Sequence, residues 1–308
     1  MTATAFAPAT VANFGPGFDV IGLAIDGIGD TVTVRKSATS GVSIRQIHGD
    51  NGALPTDPTQ NTAAIAAAET LKAAGVEANI EIDLHKGLPL CSGLGSSAAS
   101  AAAAAYATNL LIGSPLRKVD LIGPCIEAEA AVSGRHADNV APALLGGLVL
   151  IRSTEPPDLI RLPLPDGLTV VVVTPDYELP TKKARAVLPT DVPLTTMVTS
   201  TAQVAGLVSA CYTGDLSLLS RSLEDNVVTP ARIGLIPGGQ AALDAALGAG
   251  ALGASISGAG PSLFALCRSP RSAESAALAM KAEVESTGTA ASVHISPASC
   301  PGVRRVKP

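Results

Sequence analysis

The chain has no tryptophan among its 308 residues, and aromatic residues make up only 2% of it. Its core must therefore be built from alanine, valine, leucine and isoleucine, which the 47% apolar content supplies. Basic surplus is also missing. A formal net charge of −5 argues against a general nucleic-acid binder. Cysteine pairing is absent as well: Cys91, Cys125, Cys211, Cys267 and Cys300 are scattered, odd in number and without a CxxC spacing. That usage excludes a disulfide framework and a zinc site and matches reduced cytosolic thiols. The sequence opens without a basic segment followed by an apolar one, so a cytoplasmic protein is expected, with a mature form in the plastid stroma as the alternative. The most apolar run, 98–113, is mostly alanine broken by Ser, Thr and Asn, which predicts a buried helix rather than a membrane span.

The length allows two domains. Proline-rich 154–167 is the boundary candidate, dividing the chain into 1–163 and 164–308. The patterns predict strands over 28–35, 42–47, 80–84, 144–151, 168–174, 254–257, 263–267 and 291–295. Helices are predicted over 61–74, 97–112, 115–132, 181–188, 195–212, 240–249 and 271–286, which gives an α+β chain whose second half is a sandwich.

What the chain does have is PLCSGLGSSAA at 89–99, a glycine- and serine-rich loop between the alternating strand IEIDL and an alanine-rich helix. Gly93 and Gly95 let a ligand approach the backbone, and the first helical turn aims unsatisfied N–H groups at the same point. No lysine follows Gly95 as a Walker loop requires, and the spacing is not that of a dinucleotide fingerprint. Backbone dipoles and serine hydroxyls would hold the phosphates. The same residues also suit a plain turn before a core helix.

Other segments carry polar side chains at defined bends. Asn13 and Asp19 flank Gly15–Pro16–Gly17, where they serve either a small ligand or local backbone groups. Glu127 and Glu129 point to different faces of one helix, and HADN follows at 136–139. One such glutamate with a loop serine is a fitting magnesium set. Thr181 reads as the N-cap of a helix carrying Lys182, Lys183 and Arg185, while Arg232 sits on a proline-stiffened bend. Gly258 and Gly260 form a hairpin turn in SISGAGPS.

In this order, PATVANFGPGFDVIG (8–22), the 89–99 loop and ISGAGPS resemble the GHMP kinase superfamily, and HADNVAPALLGG, PTKKARAVLP and ARIGLIPG are most similar to its homoserine kinases. The resemblance implies an N-terminal domain like ribosomal protein S5 domain 2, a ferredoxin-like C-terminal domain, and transfer of a phosphoryl group from ATP to the side-chain hydroxyl of L-homoserine in threonine biosynthesis. It implies that Pro89, Leu90, Cys91, Ser92, Gly93, Leu94, Gly95, Ser96, Ser97, Ala98 and Ala99 bind the ATP phosphates, with Asn61 near the nucleotide. Ser97 and Glu129 would hold Mg2+. Asn13, Asp19, His136, Asp138, Thr181, Arg185, Arg232, Gly258 and Gly260 would surround homoserine, with Asp19 facing its ammonium and Arg185 and Arg232 its carboxylate. Asn139 stands where related kinases place an aspartate base, so Asn139, Asp138, His136 and Arg185 would act by positioning. A homodimer is implied. The alternatives are a mevalonate-type kinase and a non-catalytic ATP or ligand sensor. Three departures stand out: Cys91 replaces a usual glycine, Thr229 a usual glutamate, and Phe14 a common leucine.

Overall fold

The computed structural model describes residues 2–307, and the statements that follow concern these. The first half runs β1 (Thr2–Ala12), β2 (Ile21–Lys36), β3 (Val42–His48), α1 (Thr62–Ala73), β4 (Ile80–His85) and α2 (Ser96–Leu111). A single 3-10 turn, Lys118–Leu121, then leads into α3 (Ile122–Ala130), α4 (Val140–Leu145), β5 (Leu148–Thr154) and β6 (Pro157–Leu162). The second half runs β7 (Thr169–Pro175), α5 (Thr181–Ala186), α6 (Leu194–Thr213), α7 (Leu216–Arg221), α8 (Val228–Arg232) and α9 (Gly239–Gly248). It closes with β8 (Gly253–Ile256), β9 (Leu263–Cys267), α10 (Pro270–Glu285), β10 (Ala291–Pro297) and β11 (Arg304–Arg305).

The first sheet is ordered β11-β1-β2-β4-β3, with β5 and β6 added beside the start of β2. All its pairings are antiparallel except β3 with β4. Alanine dominates α1 and α2, and small side chains let these two helices lie close to each other and to the strands beneath. The second sheet is antiparallel, in order β10-β7-β9-β8. Its period-two alternation sends Val171, Val173, Leu263 and Ala265 toward α9 and α10, and Val170, Val172, Phe264 and Leu266 into the core of the first half. Phe14 bridges the two: its ring stacks on Phe264 at 5.3 Å, which explains how a residue bulkier than leucine is housed there.

The α+β architecture matches the expectation, and several boundaries do not. Residues 115–132 do not form one helix, because Pro124 has no N–H to bond the preceding turn and α3 starts only at Ile122. The strand expected from residue 144 begins at Leu148, since Gly146 and Gly147 both take left-handed backbone and end α4. The proline-rich stretch is no free linker: its 157–162 portion is a strand paired with β5. Thr181 is the first residue of α5 and not its cap; Pro180 occupies that position. The chain also returns after β10 to the first sheet, where β11 pairs with β1. On the way Ala298 donates to the Leu168 carbonyl at 2.9 Å, so the two crossings between the sheets run side by side.

Within α6 there is no charged residue, and it leaves Leu194, Met197, Val198 and Tyr212 exposed. By length and composition alone it is the one helix, among the described residues, apolar enough to cross a membrane.

Candidate active site

A cavity of about 610 Å³ opens between the two halves, in the size range of small-molecule sites. The 89–95 loop and the first turn of α2 form its floor. Gly95 caps α2 with φ +66° and supplies no side-chain cap, leaving the amides of the first turn open to a ligand. A Cβ on Gly95 would stand 2.1 Å from Thr10 Oγ1 and 2.7 Å from Asn139 Oδ1. Gly95→Ala is therefore expected to displace the loop and weaken ATP binding at least tenfold, read by nucleotide titration. Cys91 also lies in the left-handed region, φ +51°, which accounts for glycine being the usual residue there.

The second half braces this loop from outside. Ser257 Oγ donates to the Gly93 carbonyl at 2.8 Å, and the Ser262 N–H donates to Ser92 O at 3.0 Å. A Cβ on Gly93 would stand 2.5 Å from Ser257 O. The SGAGPS turn is thus a buttress. Gly258 reaches the cavity and its carbonyl accepts from Asn13 Nδ2 and from Arg232 Nη1, each at 3.0 Å. Gly260, Pro89, Leu94, Ala98 and Ala99 stand behind the lining.

At the acidic bend, Asn13 and Asp19 both adopt left-handed backbone, and the Asp19 N–H donates to Asn13 Oδ1 at 3.1 Å. The Asp19 carboxylate is held by Arg185 Nη2 at 2.9 Å. Arg185 and Arg232 lie over the same Phe18 ring, 5.6 and 5.4 Å from its centre. Arg232 is only 2% exposed, and its Nε donates to Ala184 O at 2.9 Å. Thr181 lines the cavity beside them, and His136 is fixed by a 2.9 Å bond between Nε2 and Ser133 O.

Asp138 is 3% exposed, and no other residue donates to its carboxylate. Burial, reinforced by the Asp19 charge, pushes its pKa up to about 6 against the pull of His136 and Arg185. A buried carboxylate on a cavity wall, bonded only by its own backbone N–H, is a receptor for a cation.

Glu127 turns outward to Arg135, whereas Glu129 is buried and lines the cavity. Its Oε2 accepts from Ser133 Oγ at 2.7 Å, while its buried Oε1 has no partner. Burial raises its pKa, opposed by the hydroxyls of Ser133 and Ser97. A carboxylate oxygen awaiting a partner beside a hydroxyl fits a hard cation such as Mg2+. Asn139 Oδ1 accepts from Thr10 Oγ1 at 2.6 Å, which leaves its amide N–H groups for the cavity. Asn61 caps α1 by accepting from the Ala63 N–H at 3.0 Å and also lines the cavity, near Leu54 and Pro55. Thr229, the other departure, donates its hydroxyl to Asp225 Oδ2 at 2.8 Å.

Several lining residues escape the sequence reading, Phe18, Ser133 and Lys86 among them. Lys86 had a signal, because it continues the inward alternation of Ile80, Ile82 and Leu84 and so belongs to the buried face.

Models of the GHMP kinases N terminal domain and the GHMP kinases C terminal match residues 61–147 and 207–286. A homoserine kinase of Arabidopsis thaliana is 50% identical over 268 residues, 85% of this chain and 72% of that one. A homoserine kinase of Chlorobium phaeobacteroides (strain BS1) is 46% identical over 91% of both chains. The crystal structure of homoserine kinase from Cytophaga hutchinsonii ATCC 33406 superposes with a TM-score of 0.96 at 45% identity, covering 99% of this chain and 97% of that one. The chain belongs to the homoserine kinases of the GHMP kinase superfamily. As a member of that family it is an ATP-dependent kinase acting on an alcohol, with the two-domain GHMP fold.

Proposed function

We propose that this chain transfers the γ-phosphoryl group of ATP to the side-chain hydroxyl of L-homoserine, giving O-phospho-L-homoserine for threonine synthesis. One observation carries the choice of acceptor: Arg185, Arg232, Asp19 and Asp138 cluster two guanidinium groups with two carboxylates on the cavity wall. That pattern suits a zwitterion and gives a mevalonate-type acid no counterpart for its missing ammonium. The test is ADP release with ATP and homoserine, set against mevalonate and no acceptor, with phosphorus NMR on the product. Turnover with mevalonate but not homoserine would sink the reading, and nucleotide binding without turnover on any acceptor would leave a sensor.

The loop amides and the serine hydroxyls hold the ATP phosphates, and the Leu54, Pro55 and Asn61 side of the cavity takes the nucleoside. Ser97 and Glu129 would hold Mg2+, which when bound neutralises phosphate charge. Glu129→Gln keeps the shape and removes the charge, so kcat is expected to fall at least 100-fold, measured against Mg2+ concentration. Arg185 and Arg232 grip the amino-acid carboxylate, Asp138 and Asp19 the ammonium, and His136 and Thr181 complete the enclosure. Phosphoryl transfer depends on positioning and charge neutralisation more than on covalent chemistry. Because Asn139 cannot act as a base and its Oδ1 already serves Thr10, its amide N–H groups orient the acceptor hydroxyl. The hydroxyl proton passes to the phosphate or to water. Asn139→Asp is expected to lower kcat at least tenfold by placing a second anion beside the phosphates; a strong rise in kcat would reveal a missing base. A second copy of the chain covers the exposed, charge-free face of α6, giving a homodimer.

A further inference from the structure

The 89–95 loop has no lysine of its own, yet a lysine lies directly behind it. Thr31 of β2 pairs with His85 of β4, so Asp30 and Lys86 stand together one position further along. Both are buried, at 0% and 6% exposure, and they form an ion pair. Asp30 holds the entrance of the loop: its Oδ1 accepts from the Gly87 N–H at 3.0 Å and the Leu88 N–H at 3.2 Å. Lys86 holds the exit: its Nζ donates to Ser96 O and Ser100 Oγ, each at 2.8 Å, and Ser100 Oγ donates back to Asp30 Oδ2 at 2.7 Å. One carboxylate and one ammonium thus tie the two ends of the loop together.

The pair also has a direction. Lys86 lines the cavity while Asp30 does not, so the positive end faces the ligand. All three ammonium protons are already committed, to Asp30, Ser96 and Ser100, so this lysine does not act as a Walker lysine by bonding phosphate. A fully used buried donor set fixes geometry, and the dipole of the pair points its positive end toward the loop.

We propose that the Asp30–Lys86 pair is a positioning clamp that presets the loop for a triphosphate, a role that rests on the nucleotide reading of the loop above. The clamp acts on phosphate recognition and leaves recognition of the nucleoside and the amino acid unchanged. Lys86→Met is expected to raise the KM for ATP at least tenfold, with adenosine affinity and the KM for homoserine within twofold of the parent. Lys86→Arg, which keeps the charge and several donors, is expected to recover part of the loss. A merely structural lysine would move all three constants together, or none.

Removing one partner leaves a buried charge, so Lys86→Met is paired with the neutral double variant Asp30→Asn/Lys86→Met, in which Asn can still accept from the Gly87 and Leu88 amides. Melting curves establish that each variant is folded. A folded single or double variant with unchanged ATP affinity overturns the clamp. Parent protein that binds no ATP overturns the nucleotide reading itself, a separate failure.

Discussion

Arg185→Ala is expected to reduce kcat/KM for homoserine by about 10²- to 10³-fold while ATP affinity changes less than threefold. Two parallel charge-assisted bonds to a carboxylate contribute about 1.5–3 kcal/mol each once desolvated, and water recovers part of that loss. The substitution has a second effect. Arg185 pairs with Asp19 at 2.9 Å, so its removal leaves Asp19 without its salt-bridge partner beside the Asp138 charge. Substrate carboxylate is repelled as well as unheld. Steady-state kinetics with each substrate varied in turn gives the measurement, and homoserine kinetics within tenfold of the parent would remove Arg185 from the site. Lysine at this position should restore little, because it lacks the planar fork.

Asp138→Asn is expected to abolish most turnover and at the same time make the unliganded protein more stable at pH 8. The Asp138 pKa is raised from about 3.8 to about 6, chiefly by burial. A raised carboxyl pKa means the folded state favours the protonated form. The associated stability is therefore complete below the unfolded pKa and is lost as pH rises through the folded one. At pH 8 the group is ionised in a site that favours its neutral form, which costs stability. Asparagine removes that cost, so calorimetry should show a melting point several degrees higher at pH 8, an advantage that shrinks between pH 6 and pH 4. A variant that melts lower at pH 8 than the parent would show that the Asp138 charge is satisfied. Gain of stability with loss of activity marks a group kept ionised for its ligand.

The long elements were legible because alternation and alanine periodicity survive any tertiary context, as in β7, α2 and α10. The loop and its strand–loop–helix setting were legible for the same reason. Partnerships across the fold were not. Nothing local in SGAGPS says that Ser257 will brace Gly93, and nothing in PTKKARA says that Arg185 will meet a residue 166 positions earlier. The strand β6 was masked by Pro157 at its start and the prolines flanking it, which suit an edge position but read as a linker. Lys86 shows a different limit: a lysine at the end of a strand is read as solvated, and only the inward register gives it away.

The tail that carries β11 back to β1 gives the molecule two covalent crossings, held side by side where Ala298 meets Leu168. Mechanically, a pair of parallel straps fixed at one edge permits rotation about the line through them and resists sliding or twisting. Neither strap lines the cavity. Rotation about that line is held as well, because Val170, Val172, Phe264 and Leu266 sit in the core of the first half, so the two halves keep their alignment around the cavity. A fragment ending at residue 163 would lose both straps and bare the edge of β1.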